Sequence, residues 1–389
     1  VKNILEHISF KRKWTLNNRI MNLLGQCYAH VAVIGNTPLR PDIHHGLLHV
    51  SLNKGALATT AIEGNTLSAE DLAHIQRGNN LEPSRMYQQK EVENILHAFN
   101  TILNDLVHRK HFEVISPDLI CRFNEMVGRN IGEAFNGNPG KLRRANVIVG
   151  AVYRPPSCEL VENYLRQLCD WLYKEFHYGK GQNFDDAVIE AIVTHVYIAW
   201  IHPFMDGNGR TARLLEFFIL LRAGVPSIAS HILSNYYNDT RTLYYKQLEH
   251  TSETGDLSRF IEYALEGFRD GLEQCIKEIH QQQIGLTWNN YVHDKIDEIP
   301  GKNPKNRRRL QQLAYTIPAD KLCTPEEIRI LSVRIAEDYR KLGPTTLRRD
   351  LDLLVALELL LTERGSYRSN HELLRKLIPD RSTSLVRHY

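Results

Sequence analysis

No two of the six cysteines, Cys27, Cys121, Cys158, Cys169, Cys275 and Cys323, form a Cys-x-x-Cys pair. A structural zinc site needs closely spaced ligand pairs, so zinc is not expected. Scattered thiols of this kind read as free and buried, as in a reducing cytoplasm. No run of eighteen apolar residues occurs, so no membrane span is expected. The strongest C-terminal candidate, 353–361, is too short and contains Glu358. The first residues, Val1-Lys2-Asn3, carry no signal-like apolar core, and a start other than Met implies earlier processing or trimming. Internal repeats and low-complexity tracts are missing. So are the phosphate-binding G-x-x-x-x-G-K-[ST] loop and the dinucleotide-binding G-x-G-x-x-G.

What is present is an ordinary soluble composition, 42% hydrophobic and 24% charged over 389 residues. That excludes a mainly disordered chain and allows two or three domains with real cores. The net charge is +3, but it is unevenly spread. From residue 301 onward eighteen Lys and Arg face eleven Asp and Glu, so the basic excess belongs to the C-terminal part. This points weakly to a polyanion there.

Apolar residues recur at helical spacing over 84–108, 159–176, 186–200, 210–223, 257–272 and 326–339. One β-like stretch, Asn146 to Tyr153, is rich in β-branched residues around Gly150 and ends at Pro155-Pro156. It predicts a short hairpin. Glycine and proline cluster at 132–140 and 298–305, the second cluster marking a domain boundary.

The most informative stretch is His202-Pro-Phe-Met-Asp-Gly-Asn-Gly-Arg-Thr-Ala-Arg213. Apolar helices on both sides predict a loop held on rigid supports. Gly207 and Gly209 permit a tight turn and leave N–H groups open at the start of the next helix, a favourable place for phosphate. Arg210 and Arg213 are three apart and share roughly one helix face. A carboxylate beside bound phosphates, Asp206, suits Mg²⁺. His202 is the nearby side chain that takes a proton at neutral pH. Phe204 is expected to turn inward as an anchor. Together the parts describe phosphoryl-type transfer, with a nucleotide in the nest and His202 accepting the proton of an incoming hydroxyl. The bland alternative is a Gly-rich helix cap with a core histidine and solvent-facing arginines.

These residues resemble the signature of Fic-domain proteins, H-P-F-x-[DE]-G-N-G-R-x-x-R, at each specified position. The resemblance implies a mainly α fold: a Fic-type helical domain with a short β-hairpin flap, plus a C-terminal winged-helix-like domain. It implies an N-terminal helical region over 1–89 and a catalytic core over 90–275. A linker helix and boundary then occupy 276–300, and the winged-helix-like part 301–389. The family's usual reaction moves AMP from ATP onto a Ser, Thr or Tyr hydroxyl of a protein and releases pyrophosphate. On that pattern His202 is the catalytic base and Asp206 holds Mg²⁺. Gly207, Asn208 and Gly209 form the anion nest, Arg210 helps hold the phosphates and the loop, and Arg213 holds the γ-phosphate. Val147, Ile148, Val149 and Gly150 resemble the flap, which registers a target segment by β-augmentation. Tyr236 and Tyr237, with Tyr244-Tyr245, resemble the wall around the adenine, although core tyrosines fill space equally well.

Thr59 to Gly64 resembles the family's inhibitory pattern [ST]-x-x-x-E-[GN], on a helix expected around 55–65. It implies that Glu63 pairs with Arg213 and removes the cation meant for the γ-phosphate; alone, the stretch would read as a helix cap with an exposed glutamate. The same glutamate can support removal of AMP, and sequence does not choose the direction. Thr346 to Leu351 resembles the T-x-x-R-D-L recognition element of bacterial regulators, with 362–368 as the wing. The partners implied are an acceptor protein (this chain included), a second copy in a homodimer, and DNA through 301–389. The alternatives carried are a nucleotide-sensing DNA-binding regulator or scaffold, and transfer of another phosphate-containing group.

Overall fold

The computed structural model describes residues 7–110, 112–150, 153–176, 183–301, 303–340 and 342–375. The chain divides into two compact units, Val1–Lys277 and Glu278–Tyr389.

The first unit is helical: α1 (Asn18–Asn36), α2 (Pro41–Ala61), α3 (Ala69–Gln76), α4 (Met86–Leu103), α5 (Pro117–Gly128), α6 (Val161–Glu175), α7 (Phe184–Ile201), α8 (Asn208–Arg222), α9 (Ile232–Asp239), α10 (Arg241–Thr254) and the start of α11 (Ser258–Asp297). Its centre is the α7–α8 pair. Nearly every residue of both helices is buried, as expected for segments that are not amphipathic and must be covered on all sides. α2, α4 and α5 pack on α8, and α6 and α1 pack on α7. The helix expected over 84–108 is α4 followed by a π-helical turn, Asn104–His108.

α7 ends because His202 takes a left-handed conformation (φ 49°, ψ 61°), with its N–H on the Ile198 carbonyl at 2.9 Å. For a non-glycine residue this conformation costs about 1 kcal/mol or more. Five residues later Gly207 (φ 78°) starts α8. The connecting loop is therefore short and bounded by two left-handed residues.

The second unit contains the end of α11, α12 (Pro304–Thr316), α13 (Pro325–Ile328), α14 (Val333–Arg340), α15 (Pro344–Ala356), a hairpin of β1 (Leu360–Glu363) and β2 (Ser366–Ser369), and α16 (Glu372–Arg375). The strands are antiparallel, with Leu360 opposite Ser369 and Glu363 opposite Ser366. Arg364 (φ 51°) and Gly365 (φ 79°) make the tight two-residue turn that matches strand twist. A bridge from Cys323 to Tyr367 adds a third short segment. In this unit the helices α12 to α15 thus precede a two-stranded hairpin.

Two expectations change. The helix expected over 326–339 is broken into α13 and α14, because Ser332 accepts the Ile335 N–H and starts a new helix. The domain boundary moves from the 298–305 cluster to Lys277/Glu278. Trp288, Val292 and Ile296, expected in a linker helix, are buried in one core with Leu310, Leu313 and Leu354. Periodicity could not reveal that switch, since α11 runs unbroken through it.

Candidate active site

The loop from His202 to Gly207 is held from both sides by buried polar side chains. Within it, Asn208 Oδ1 accepts the Phe204 N–H and Asn208 Nδ2 donates to the Phe204 carbonyl, each at 2.9 Å. The side chain of Asn208 therefore locks the loop, and only its backbone is left for an anion. Phe204 is buried, as expected of an anchor. Asn124 of α5, fully buried, donates to the Asp206 carbonyl at 3.0 Å and to Thr211 Oγ1 at 3.2 Å, and accepts the Gly140 N–H at 2.9 Å. A Cβ on Gly207 would stand 2.9 Å from Asn124 Nδ2, so glycine is required for space as well as for φ. Arg143 grips the other flank. Its Nε donates to the His202 carbonyl at 2.8 Å, its Nη1 to Ala145 at 3.0 Å and its Nη2 to Pro156, while its N–H bonds the Pro203 carbonyl at 2.9 Å.

His202 is half-buried. Burial, with the Arg143 charge, pulls its imidazole down to about 4 against an opposing backbone hydrogen bond at Ala199 and the charges of Glu63 and Asp206. The ring is therefore neutral at pH 7 and able to accept a proton.

α8 begins with N–H groups at Asn208, Gly209 and Arg210 that precede its first internal donor, Thr211, which bonds Gly207 at 2.8 Å. Such groups, with the helix dipole, favour an anion. The carboxylate of Glu63 stands at this place. A Cβ built on Gly209 would lie 2.1 Å from Glu63 Oε1 and 3.2 Å from Arg213 Nη1. Arg213 is 1% exposed, and its Nη2 donates to Glu63 Oε1 and to the Thr59 carbonyl, the latter at 3.0 Å. Glu63 keeps 32% of its side-chain surface open. Burial works to raise its carboxyl, but Arg213 first, then Arg210 and His202, hold it below the ordinary value. Glu63 lies two residues past the end of α2, just before Gly64 (φ 100°). Two positions on Arg213, Nε and Nη1, and Nε of Arg210 are buried without hydrogen-bond partners among the described residues. Unpartnered buried donors around a helix start suit a larger, multi-oxygen anion than one carboxylate.

Arg210 is 3% exposed and already holds two carboxylates: Nη1 on Glu91 Oε1, and Nη2 on Asp206 Oδ1 at 2.9 Å. The other oxygen of Asp206 accepts the Asn136 N–H at 3.1 Å, and 27% of the side chain remains open. Among the described residues no three His, Cys, Asp or Glu side chains form a ready-made metal cage. One partly open carboxylate beside an anion nest fits Mg²⁺, which keeps most of its ligands as water and substrate phosphate.

The expected hairpin forms with one bridge, Val149 to Tyr153, closed by N–H to carbonyl bonds of 2.8 and 3.2 Å. Val147 and Ile148 are not in a strand, and Ile148 is 59% exposed. Ala151 and Val152 lie outside the described residues.

The adenine wall needs correction. Tyr237 is fully buried, donates to Glu216 Oε1 at 2.9 Å and stacks on Tyr244, so neither face is available to a base. Tyr236 rests against Tyr263 and on the backbone of Gly267 in α11. Tyr237 is core, and Tyr236 is half-buried with its ring against α11. Tyr245 is the exposed aromatic nearby: its hydroxyl donates to the Ile62 carbonyl at 3.1 Å and it borders the Glu63–Arg213 pair.

With this geometry in hand, the relatives are informative. Residues 114–220 match the Fic/DOC family model. The segment takes in His202 to Arg213 and the hairpin, and leaves Glu63 outside. Over that segment the chain is similar to Fic domains. It is 32% identical over 219 residues to protein adenylyltransferase fic-1 of Caenorhabditis briggsae, covering 56% of this chain and 40% of that protein. The same figures hold for the Caenorhabditis elegans protein of that name. The chain thus spans well under half the length of these curated relatives. Among solved structures, C. elegans Fic-1 is similar with a TM-score of 0.56 at 26% identity, over 68% of this chain and 73% of that one. A Fic family protein from Desulfovibrio desulfuricans shares the fold with a TM-score of 0.57 at 17% identity, over 92% and 98%.

Proposed function

We propose that this chain is an autoinhibited protein adenylyltransferase. The observation carrying the reading is the carboxylate of Glu63 standing over the start of α8 and on Arg213, with His202 neutral across the loop. A nucleotide's terminal phosphate fits that place when Glu63 leaves. Its oxygens would satisfy the unpartnered Arg213 nitrogens and the open N–H groups of α8. The α-phosphate would then lie nearer His202, and the base nearer Tyr245.

In the reaction the oxygen of an acceptor hydroxyl attacks the α-phosphorus while its proton passes to a ring nitrogen of His202. The bond from the α-phosphorus to the bridging oxygen breaks, and pyrophosphate leaves with that oxygen. Mg²⁺, held by Asp206 and the phosphates, would spread the negative charge that develops there. Arg143 keeps His202 in place through its carbonyl, and the backbone of 147–150 registers an extended acceptor segment.

The test is incubation of Glu63→Gly, wild type and Glu63→Gly/His202→Ala chains with labelled ATP and lysate, read by intact mass of modified acceptors. AMP addition by Glu63→Gly alone supports the reading. Equal labelling by the His202→Ala form refutes it, and an adduct other than AMP changes the transferred group. Excess AMP-modified acceptor as substrate tests removal in wild type.

For the second unit we propose contact with duplex DNA. Arg348 and Arg349 are exposed on α15, as is Arg364 at the hairpin tip. Their replacement by Ala in the full chain would lower the salt dependence of DNA binding by about one per lost phosphate contact. No gel shift at low salt would refute this.

A further inference from the structure

Glu63 is one of two ties between the segment after α2 and the motif helix. The second runs through Asn65. The side chain of Asn65 is buried, accepts the Leu67 N–H at 3.0 Å, and donates from Nδ2 to the Gln88 carbonyl and to Glu91 Oε2, both at 2.9 Å. The other oxygen of Glu91 accepts Arg210 Nη1. Arg210 Nη2 in turn reaches Asp206 Oδ1 at 2.9 Å. A continuous chain, Asn65–Glu91–Arg210–Asp206, thus connects the inhibitory turn to the carboxylate that would hold the metal. Glu91 is the pivot. It lies on α4, its side chain is 14% exposed, and each of its oxygens serves a different neighbour.

We propose that Glu91 is a positioning residue that sets how far Asp206 is available to a divalent cation and couples it to the inhibitory turn. This rests on the nucleotide-transfer reading of the site. Arg210 is shared between two carboxylates. When Glu91 takes its share, Asp206 is less neutralised and presents more charge outward. Without Glu91, Arg210 has Asp206 as its one remaining acidic partner, and the cation must compete with a full guanidinium. The same loss frees Asn65 Nδ2 and loosens the turn that carries Glu63. A merely structural Glu91 would lower stability and change neither.

The experiment compares wild type, Asn65→Ala, Glu91→Gln and Glu91→Asp full chains. One measurement is Mn²⁺ binding, with and without a non-hydrolysable ATP analogue, followed by the loss of the free-ion paramagnetic signal. The other is backbone amide exchange over 62–66 without nucleotide. We expect cation affinity to fall about 3- to 10-fold in Glu91→Gln and in Glu91→Asp, whose shorter arm cannot reach both neighbours, as for the loss of part of a charge-assisted bond. Exchange over 62–66 quickens in all three variants, and Asn65→Ala, which keeps the Glu91–Arg210 bond, lowers cation affinity less than Glu91→Gln does. Unchanged cation affinity in Glu91→Gln, or unchanged exchange over 62–66 in that variant, overturns the proposal. If the chain binds nucleotide but transfers nothing, the transferase reading fails while these two measurements still decide the role of Glu91.

Discussion

Replacing Glu63 tests the site at its centre. Arg213 is 1% exposed and Glu63 about a third open. Removing one partner of a fully buried pair costs about 3–5 kcal/mol. Because solvent reaches Glu63, a discounted figure of about 2 kcal/mol is appropriate here. In wild type an incoming terminal phosphate must first displace the carboxylate. In Glu63→Gly it need not, so nucleotide affinity should rise about 30-fold for 2 kcal/mol. The ligand-free variant should melt a few degrees lower, since its buried guanidinium has lost its counter-ion. Saturating Mg·ATP should return that loss, because phosphate replaces the carboxylate. Glu63→Gln separates charge from shape, keeping a hydrogen-bond acceptor but no charge, and should fall between the two. Calorimetric titration with a non-hydrolysable analogue and thermal melts supply the numbers. Equal affinity in wild type and Glu63→Gly would show that the carboxylate does not occupy the phosphate's place, and the autoinhibition argument would be wrong.

Gly209→Ala in the Glu63→Gly background should lose nucleotide affinity by tenfold or more, on the order of one clash in a phosphate nest, measured by the same titration; retained affinity would move the phosphate elsewhere. Asn124→Ala should cost about 2–4 kcal/mol in chemical denaturation, since three loop contacts end on one buried amide. Labelled-histidine NMR should find His202 uncharged from pH 8 to about 5.5, against titration near 6.5 for a free imidazole. His7 and His231 are likewise pulled down by burial, to about 4 and about 3. All three take up protons on unfolding below pH 6.5, so stability is fully present above that pH and is lost as pH falls toward 4; a melting temperature flat from pH 7 to 5 would contradict it.

The loop was readable because its chemistry is local. His202, Asp206, Gly207, Gly209 and Arg213 stand within twelve residues, and each imposes a constraint visible in its residue type. The residues that hold the loop were not readable. Asn124 and Glu91 are single polar residues on otherwise amphipathic helices, more than eighty positions away. Nothing in their neighbours separates them from solvent-facing side chains. Tyr237 misled for the reason weighed at the outset, that an aromatic at helical spacing packs a core as readily as it stacks on a base. Here Glu216, a carboxylate inside α8, captured the Tyr237 hydroxyl. The hairpin was placed correctly by its β-branched run and Gly150, but a period-two pattern does not report how many rungs a ladder closes. The continuous α11 concealed the boundary at Lys277, since one periodic segment can serve two cores.

On the proposed reading, inhibition and nucleotide binding compete at one place. The N–H groups at the start of α8 and the guanidinium of Arg213 are separate anion-binding elements, one fixed in backbone and the other carried on a side chain. Glu63 meets both, because Gly209 offers no Cβ to hold the carboxylate away from the helix start. A residue of any other type at 209 would split them. On that reading a single displacement of Glu63 would uncover the whole phosphate site. The hydroxyl of Tyr245 bonds the Ile62 carbonyl, one residue before Glu63, so on the proposed reading a base arriving at Tyr245 would contact the support of the turn that carries Glu63. Phosphate and base would then bear on the same turn from two sides. A nucleotide lacking its terminal phosphate has less with which to displace the carboxylate, and the discrimination between ATP and ADP should shrink when Glu63 is removed.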